Sequence, residues 1–226
     1  MESLDRRVRK YVFGHFVEAC AAPLLEEIAH DLGLGLEETR DSLNRLDDAH
    51  HLKLLEGTAR ILMAFPFSAL PTPYKVSRDN GKQYYANCAW DSVAFHPMLG
   101  EPIQVDSYCA HCGLAIRFRI ERGAGIPPSG GLPLVQLRLP ASEWWKDITR
   151  TCANTMVFLL PERRHQDDLD PAARADRGIV TVDQVLGMSV PIYARKLELD
   201  YERPSASVLQ TTFEQLGLTG PHWRLG

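Results

Sequence analysis

No apolar run in the sequence is long enough to cross a bilayer. Internal repeats and low-complexity stretches are also missing. The opening residues, Met1-Glu2-Ser3-Leu4-Asp5-Arg6-Arg7, lead into a helical pattern and lack the apolar core of a secretory signal. Charge of one sign is not in excess. The 25 Lys and Arg against 29 Asp and Glu leave a net charge of −4, which argues against a protein that coats nucleic acid or an anionic membrane. Cysteine is scarce and odd in number, at five, so a secreted disulfide framework is not expected. Reduced thiols in a cytoplasmic protein are the expectation. What is present is ordinary: 226 residues, 45% hydrophobic and 24% charged, enough to bury a core without staples.

Apolar spacing predicts three helices over residues 4–50. Two short strands follow, Leu52–Leu55 and Ile61–Ala64. Three helices and a hairpin make a winged-helix-like N-terminal domain over 1–64. Three prolines within residues 65–74 predict a linker. Beyond it, Asn80-Gly81 marks a hairpin between strand-like runs, and 87–99 reads as a helix stopped by Pro97 or Gly100. Strands are expected at 103–106, 114–120 and 134–139, a short helix at 142–149, and an apolar strand at 155–160. Residues 162–175 read as a loop and a solvated helix. A helix capped by Thr181 or Asp183 closes a mixed domain spanning 75–197. Residues 198–226 are a less regular C-terminal extension. The fold class expected is α+β, with a small, mainly antiparallel sheet flanked by helices.

A winged helix invites a DNA-binding reading, in which the third helix enters the major groove. Here residues 36–50 carry Glu37, Glu38, Asp41, Asp47 and Asp48 against Arg40 and Arg45. Phosphate repels such a helix, and phosphate contacts supply most non-specific affinity. No nucleic-acid or membrane partner is expected.

The cysteines carry the chemistry. Cys88-Ala89-Trp90-Asp91 spaces a thiol and a carboxyl by three, so on a helix both project from one face. Each raises the other's pKa, and burial raises that of the carboxyl further, so Asp91 can hold a proton and act as an acid. Cys152 lies just before an apolar strand, with Arg150 nearby to favour a thiolate. Cys109-Ala110-His111-Cys112 is a C-x-x-C at a turn, half of a zinc site that Cys88, Cys152 or a histidine would have to complete. Cys20 is expected as an inert, buried helix residue.

The segment Tyr85-Ala86-Asn87-Cys88-Ala89-Trp90-Asp91-Ser92-Val93-Ala94-Phe95-His96-Pro97 resembles the core motif of the organomercurial (alkylmercury) lyase family. Ser107-Tyr108-Cys109-Ala110, Cys152 with Phe158-Leu159, and the helix entry 179–187 extend the resemblance. It implies a carbon–mercury lyase of mercuric detoxification, with Cys88 and Cys152 as thiolates on mercury and Asp91 as the proton carrier. Cys109 would be structural, and Cys112 a spare thiol or a partner in a disulfide or zinc site. Mercury would be substrate and product, with no cofactor required. The substrate partner would be a small organomercurial, and cellular thiols or a mercuric reductase would accept Hg(II). Two other readings are a thiol-based soft-metal-binding protein on the same fold and a winged-helix regulator responding to metals or thiol reagents.

Overall fold

The computed structural model describes residues 1–128, 131–161 and 171–226. Three helices open the chain: α1 (Ser3–Ala19), α2 (Leu25–Leu32) and α3 (Leu36–Asp48). Val8, Val12 and Phe16 of α1 recur at four-residue spacing and are buried, the stripe expected of a helix facing a core. Asp5 of α1 is buried and accepts hydrogen bonds from Ser42 Oγ (2.7 Å) and Arg45 (2.8 Å). Arg45, one of the two bases on the acidic third helix, is therefore engaged within the fold. Cys20 lies just past α1 in a left-handed conformation (φ 57°) and is half-buried, not a buried helix residue. The α-helix ends one residue before it, where the Cys20 N–H closes back on the Phe16 carbonyl.

An eight-stranded antiparallel sheet runs through the middle of the molecule in the order β1-β2-β3-β5-β4-β6-β7-β8. Its strands are β1 (Lys53–Leu54), β2 (Ile61–Ala64), β3 (Phe67–Ser68), β4 (Lys75–Arg78), β5 (Gln83–Ala86), β6 (Ile103–Tyr108), β7 (Ala115–Glu121) and β8 (Ala124–Ile126). The β4–β5 hairpin turns at Asn80-Gly81, with Gly81 at φ 87°, where a left-handed residue is needed. The segment 65–74, expected as a linker, carries β3, which pairs with β2 on one side and β5 on the other. Phe67 explains this. It is buried, stacks on Phe16 at 4.9 Å and meets Phe95 edge-on at 4.9 Å. The prolines flank the two paired residues and so remove no ladder donor.

A second antiparallel sheet has the order β10-β9-β11, from β9 (Leu134–Leu137), β10 (Met156–Leu159) and β11 (Ile179–Thr181). The sheet component is thus larger than expected and divided in two. In place of one helix over 142–149, the chain makes a 3₁₀ turn at Ala141–Glu143. It then restarts at α5 (Ile148–Arg150), where the Asp147 carboxylate accepts the Arg150 N–H (2.9 Å). A π-turn, Thr151–Thr155, leads into β10. Of the expected loop and helix over 162–175, residues 162–170 lie outside the described residues, and α6 (Pro171–Asp176) follows.

Two helices carry the centre. Helix α4 (Ala89–Leu99) packs on α7 (Val182–Tyr193). Residues 89–95 of α4 are buried without interruption, as for a helix enclosed on all sides. Pro97 sits inside its last turn, and Gly100 (φ 66°) ends it. Helix α7 starts with a capping box in which the Thr181 hydroxyl accepts the Gln184 N–H (3.1 Å).

The C-terminal segment is an integral layer. Ser205 caps α8 (Ala206–Gln215), whose Leu209 and Phe213 face inward at four-residue spacing. Phe213 contacts Trp144 and Trp223 at 6.1 and 5.9 Å. Gly178 (φ 68°) lies against the His222 ring, with no room for a Cβ. Arg9 of α1 is wholly buried and donates to the carbonyls of Lys196 and Glu198, tying the first helix to the start of this segment. Phe213→Ala is expected to cost about 3–5 kcal/mol, the range for truncating a buried aromatic, read as a lower urea midpoint at unchanged slope. A cost under about 1 kcal/mol would show the segment to be peripheral.

Candidate active site

Cys88 sits between β5 and α4 with an extended backbone (φ −157°). It is the residue before the helix and not part of it, which refines the expected shared helix face. Its Sγ accepts the Asp91 N–H at 3.4 Å, the position a capping oxygen usually fills. Asp91 turns back from the first turn of α4. Its Oδ2 lies 3.5 Å from Cys88 Sγ and 4.0 Å from Cys152 Sγ, and accepts from Asn87 Nδ2 at 3.1 Å. Its Oδ1 accepts from the Tyr193 hydroxyl at 2.8 Å. Cys152 arrives from the π-turn before β10. Thiol, thiol and carboxyl are all buried, and their ligand atoms lie within 4.8 Å of one another. Among the described residues no other group of three or more Cys, His, Asp or Glu is gathered closely enough to share an ion.

Division of labour on the carboxyl follows from these contacts. Tyr193 occupies Oδ1, while both sulfurs face Oδ2, so protons from either thiol reach the same oxygen. Burial pushes the Asp91 pKa up to about 6, against hydrogen bonds from Tyr193, Asn87 and Cys88 that pull it down. Burial also pushes the Cys88 thiol well up, and the neighbouring Cys152 and Asp91 add to this. For Cys152, the hydrogen bond with Cys88 pulls down, but burial and the Asp91 charge outweigh it and its pKa is raised. The resting site therefore holds two protonated thiols beside a carboxyl able to take and return a proton near neutrality.

The carboxyl also leaves a mark on stability. A carboxylic acid whose pKa is higher folded than unfolded contributes its full stability below the unfolded value, and loses it as pH rises through the folded value. For Asp91 that window runs from the ordinary 3.8 to about 6. Asp91→Asn should escape the loss. Its stability should exceed the parent's at pH 8 by up to about 3 kcal/mol and show no such gain at pH 4. Urea melts at both pH values check this, and an unchanged difference between them contradicts it.

An aromatic pocket opens onto this group. Trp90 meets Trp144 edge-on at 5.2 Å, and its indole N–H donates to Ser189 Oγ on α7 at 2.8 Å. Trp144, Trp145, Ile148, Met156, Ile192 and Phe213 supply further wall. Met156 Sδ is 3.7 Å from Cys88 Sγ. His50 and Phe65 from the N-terminal part, and Arg203, Leu209 and Leu225 from the C-terminal part, also line it.

The remaining expected thiols stand apart. Cys109 is buried at the turn after β6, where its sulfur accepts the Leu160 N–H (3.4 Å). Cys112 is exposed, and no cysteine is in a disulfide. Sequence reasoning missed Tyr193, Lys196 and Arg203 at the pocket. Tyr193 is 102 residues from its carboxyl, beyond any local pattern. Asn87 was visible only as part of the motif.

Two soft thiols and a protonatable carboxyl, all buried beside an aromatic pocket, define a class of site, one for a thiophilic metal species that also needs a proton. The comparisons with known proteins agree with that class. The family model described as MerB: Alkylmercury lyase matches residues 67–194. An alkylmercury lyase of Staphylococcus epidermidis is 30% identical over 107 residues, 46% of this chain and 47% of that protein. One from Bacillus cereus is 29% identical over 97 residues, 43% of this chain and 42% of its own length. The matches thus span about half the length of these curated relatives. A crystal structure of the mercury-bound form of MerB2 shares the fold, with a TM-score of 0.58 and 14% identity, covering 86% of this chain and 89% of that one. The chain belongs to the alkylmercury lyase family.

Proposed function

We propose that the protein is an organomercurial lyase that cleaves a carbon–mercury bond by thiolate coordination and protonolysis. One observation carries the reading: Asp91 Oδ2 lies within reach of both buried sulfurs, at 3.5 and 4.0 Å. A pure metal-binding protein needs the thiols but not a buried, protonatable acid between them.

The sequence of events follows from the proton inventory. An organomercurial R–Hg–X meets Cys88. The sulfur–mercury bond forms, and X leaves with the Cys88 thiol proton as H–X, so Asp91 is still free to take a proton. Cys152 then binds, and its proton is held on Asp91 Oδ2. Two thiolates raise electron density on carbon. The Asp91 proton is transferred to that carbon, the carbon–mercury bond breaks, and R–H leaves with Hg(II) on the two sulfurs. Holding the acid one helical turn from a ligand sulfur supplies proximity, a large part of any rate gain. Tyr193 fixes the carboxyl's orientation through the oxygen that does not carry the proton. Hg(II) leaves by exchange onto external thiols, cellular thiols or a mercuric reductase being the acceptors. Mercury is substrate and product, and Cys88, Cys152 and Asp91 supply the coordination and the proton.

Among the described residues no helix is long and apolar enough to cross a membrane. We place the protein in the cytoplasm, where thiols stay reduced. We also keep the division into an N-terminal unit over 1–64 and a catalytic unit over 75–197, with residues 198–226 closing the pocket. Reduced protein incubated with phenylmercury should release benzene, followed by gas chromatography of the headspace. Stoichiometric binding without benzene would favour the metal-binding alternative.

A further inference from the structure

Two cations interrupt the apolar pocket wall. Lys196 follows α7 and is only 2% exposed, and Arg203 stands on the C-terminal segment; both line the pocket that holds Cys88, Asp91 and Cys152. The Lys196 ammonium lies over the rings of Tyr201, Phe13 and Tyr193, at 5.0, 5.3 and 5.6 Å from their centroids. The Arg203 guanidinium lies 4.0 Å from the Trp145 ring centroid. Ring faces recover part of the hydration such cations lose. Yet among the described residues neither side chain donates a hydrogen bond, and neither has a carboxylate within 4 Å. Burying a cation without an anion is costly. Burial first, then repulsion from Arg203 and Arg9, pulls the Lys196 pKa down to about 7, with Asp91 acting in the opposite direction. The structure thus keeps, facing a substrate pocket, two cations that nothing in the fold requires as an ion pair.

We infer that Lys196 and Arg203 form an anion subsite, which selects organomercurials whose organic arm carries a carboxylate or sulfonate. This rests on the lyase reading and names its substrate class. The thiols hold the soft end of the molecule, the tryptophan wall holds an aryl or alkyl arm, and the two cations hold the far anion. A charge-assisted hydrogen bond in a dry site is stronger than a neutral one, and guanidinium forks suit carboxylates.

The test compares phenylmercury with 4-mercuribenzoate on the full chain. The parent protein should prefer the carboxylate, with kcat/KM about tenfold or more higher, as one desolvated charge-assisted bond implies. Lys196→Met and Arg203→Gln should each lower the ratio of the two kcat/KM values about tenfold, and Lys196→Arg should retain it. A parent ratio near one overturns the inference. So does a fall in both rates by the same factor, since that assigns Lys196 to the electrostatics of Asp91 or to the fold. Mercury-free benzoate, with benzyl alcohol as the neutral control, gives a readout independent of cleavage. Benzoate should quench tryptophan fluorescence in the parent, and more weakly in Lys196→Met. If neither mercurial is cleaved but benzoate still binds selectively, the lyase reading fails and the subsite stands. If cleavage proceeds but benzoate binds no better than benzyl alcohol, the subsite fails and the lyase reading stands.

Discussion

Cys88→Ser is expected to reduce hydrocarbon release to background, a loss of more than about 10⁴-fold, the scale seen when a covalent catalytic group is removed. A hydroxyl is a poor ligand for a soft metal, so the exchange removes coordination while preserving shape. Cys152→Ser should behave in nearly the same way, because a single thiolate leaves the carbon insufficiently activated. With the exposed Cys112 also changed to serine, each variant should still capture one organomercurial on the remaining site thiol with its organic group attached, visible by intact mass. Both positions are buried, so thermal melts must accompany the assays. A folded Cys152→Ser protein that retains more than a tenth of the parent rate would remove Cys152 from the mechanism.

Asp91→Asn separates coordination from proton delivery. Both sulfurs remain, Tyr193 and Asn87 still face the side chain, and mercury binding should persist. Hydrocarbon release should fall by about 10²–10⁴-fold, the range of general acid–base catalysis. Loss below about tenfold would count against the proton role. Loss of mercury binding would instead make Asp91 an organiser of the two thiols. The gain in stability expected for the same variant above pH 6 gives this result a second face. A residue that lowers stability by being buried and ionisable, yet is needed for turnover, is what a functional site installs at the expense of the fold.

Much of this was legible in the sequence because it is local. Cys88 and Asp91 are three residues apart, Asn80-Gly81 announces its hairpin, and the alternation of Ile116, Phe118 and Ile120 marks β7. Cys152 could be placed through the family resemblance and through the apolar strand that follows it. The brief elements were harder. β3 has two residues and β11 three, too few for a period to show, and both form because neighbouring strands supply their partners. The π-turn that carries Cys152 depends on where Asp147 restarts the helix, a side-chain event with no apolar signature. Tyr193 reaches the pocket because α7 packs on α4, and Lys196 and Arg203 lie along the segment that Arg9 ties to α1 and that leads into α8. Such contacts span most of the chain, and periodicity carries no information at that range. The C-terminal segment, which reads as an irregular extension, is for that reason the part whose role was least visible.

In the proposed mechanism a solvent-exchangeable proton held at Asp91 ends on the carbon that leaves mercury. The most direct measurement is a single turnover of reduced protein with phenylmercury in D₂O, with the released hydrocarbon analysed by mass spectrometry and the protein by intact mass. Benzene carrying one deuterium is expected, together with one mercury atom retained per chain on Cys88 and Cys152. A protein that keeps the phenylmercury adduct intact, or benzene released without deuterium, would contradict it.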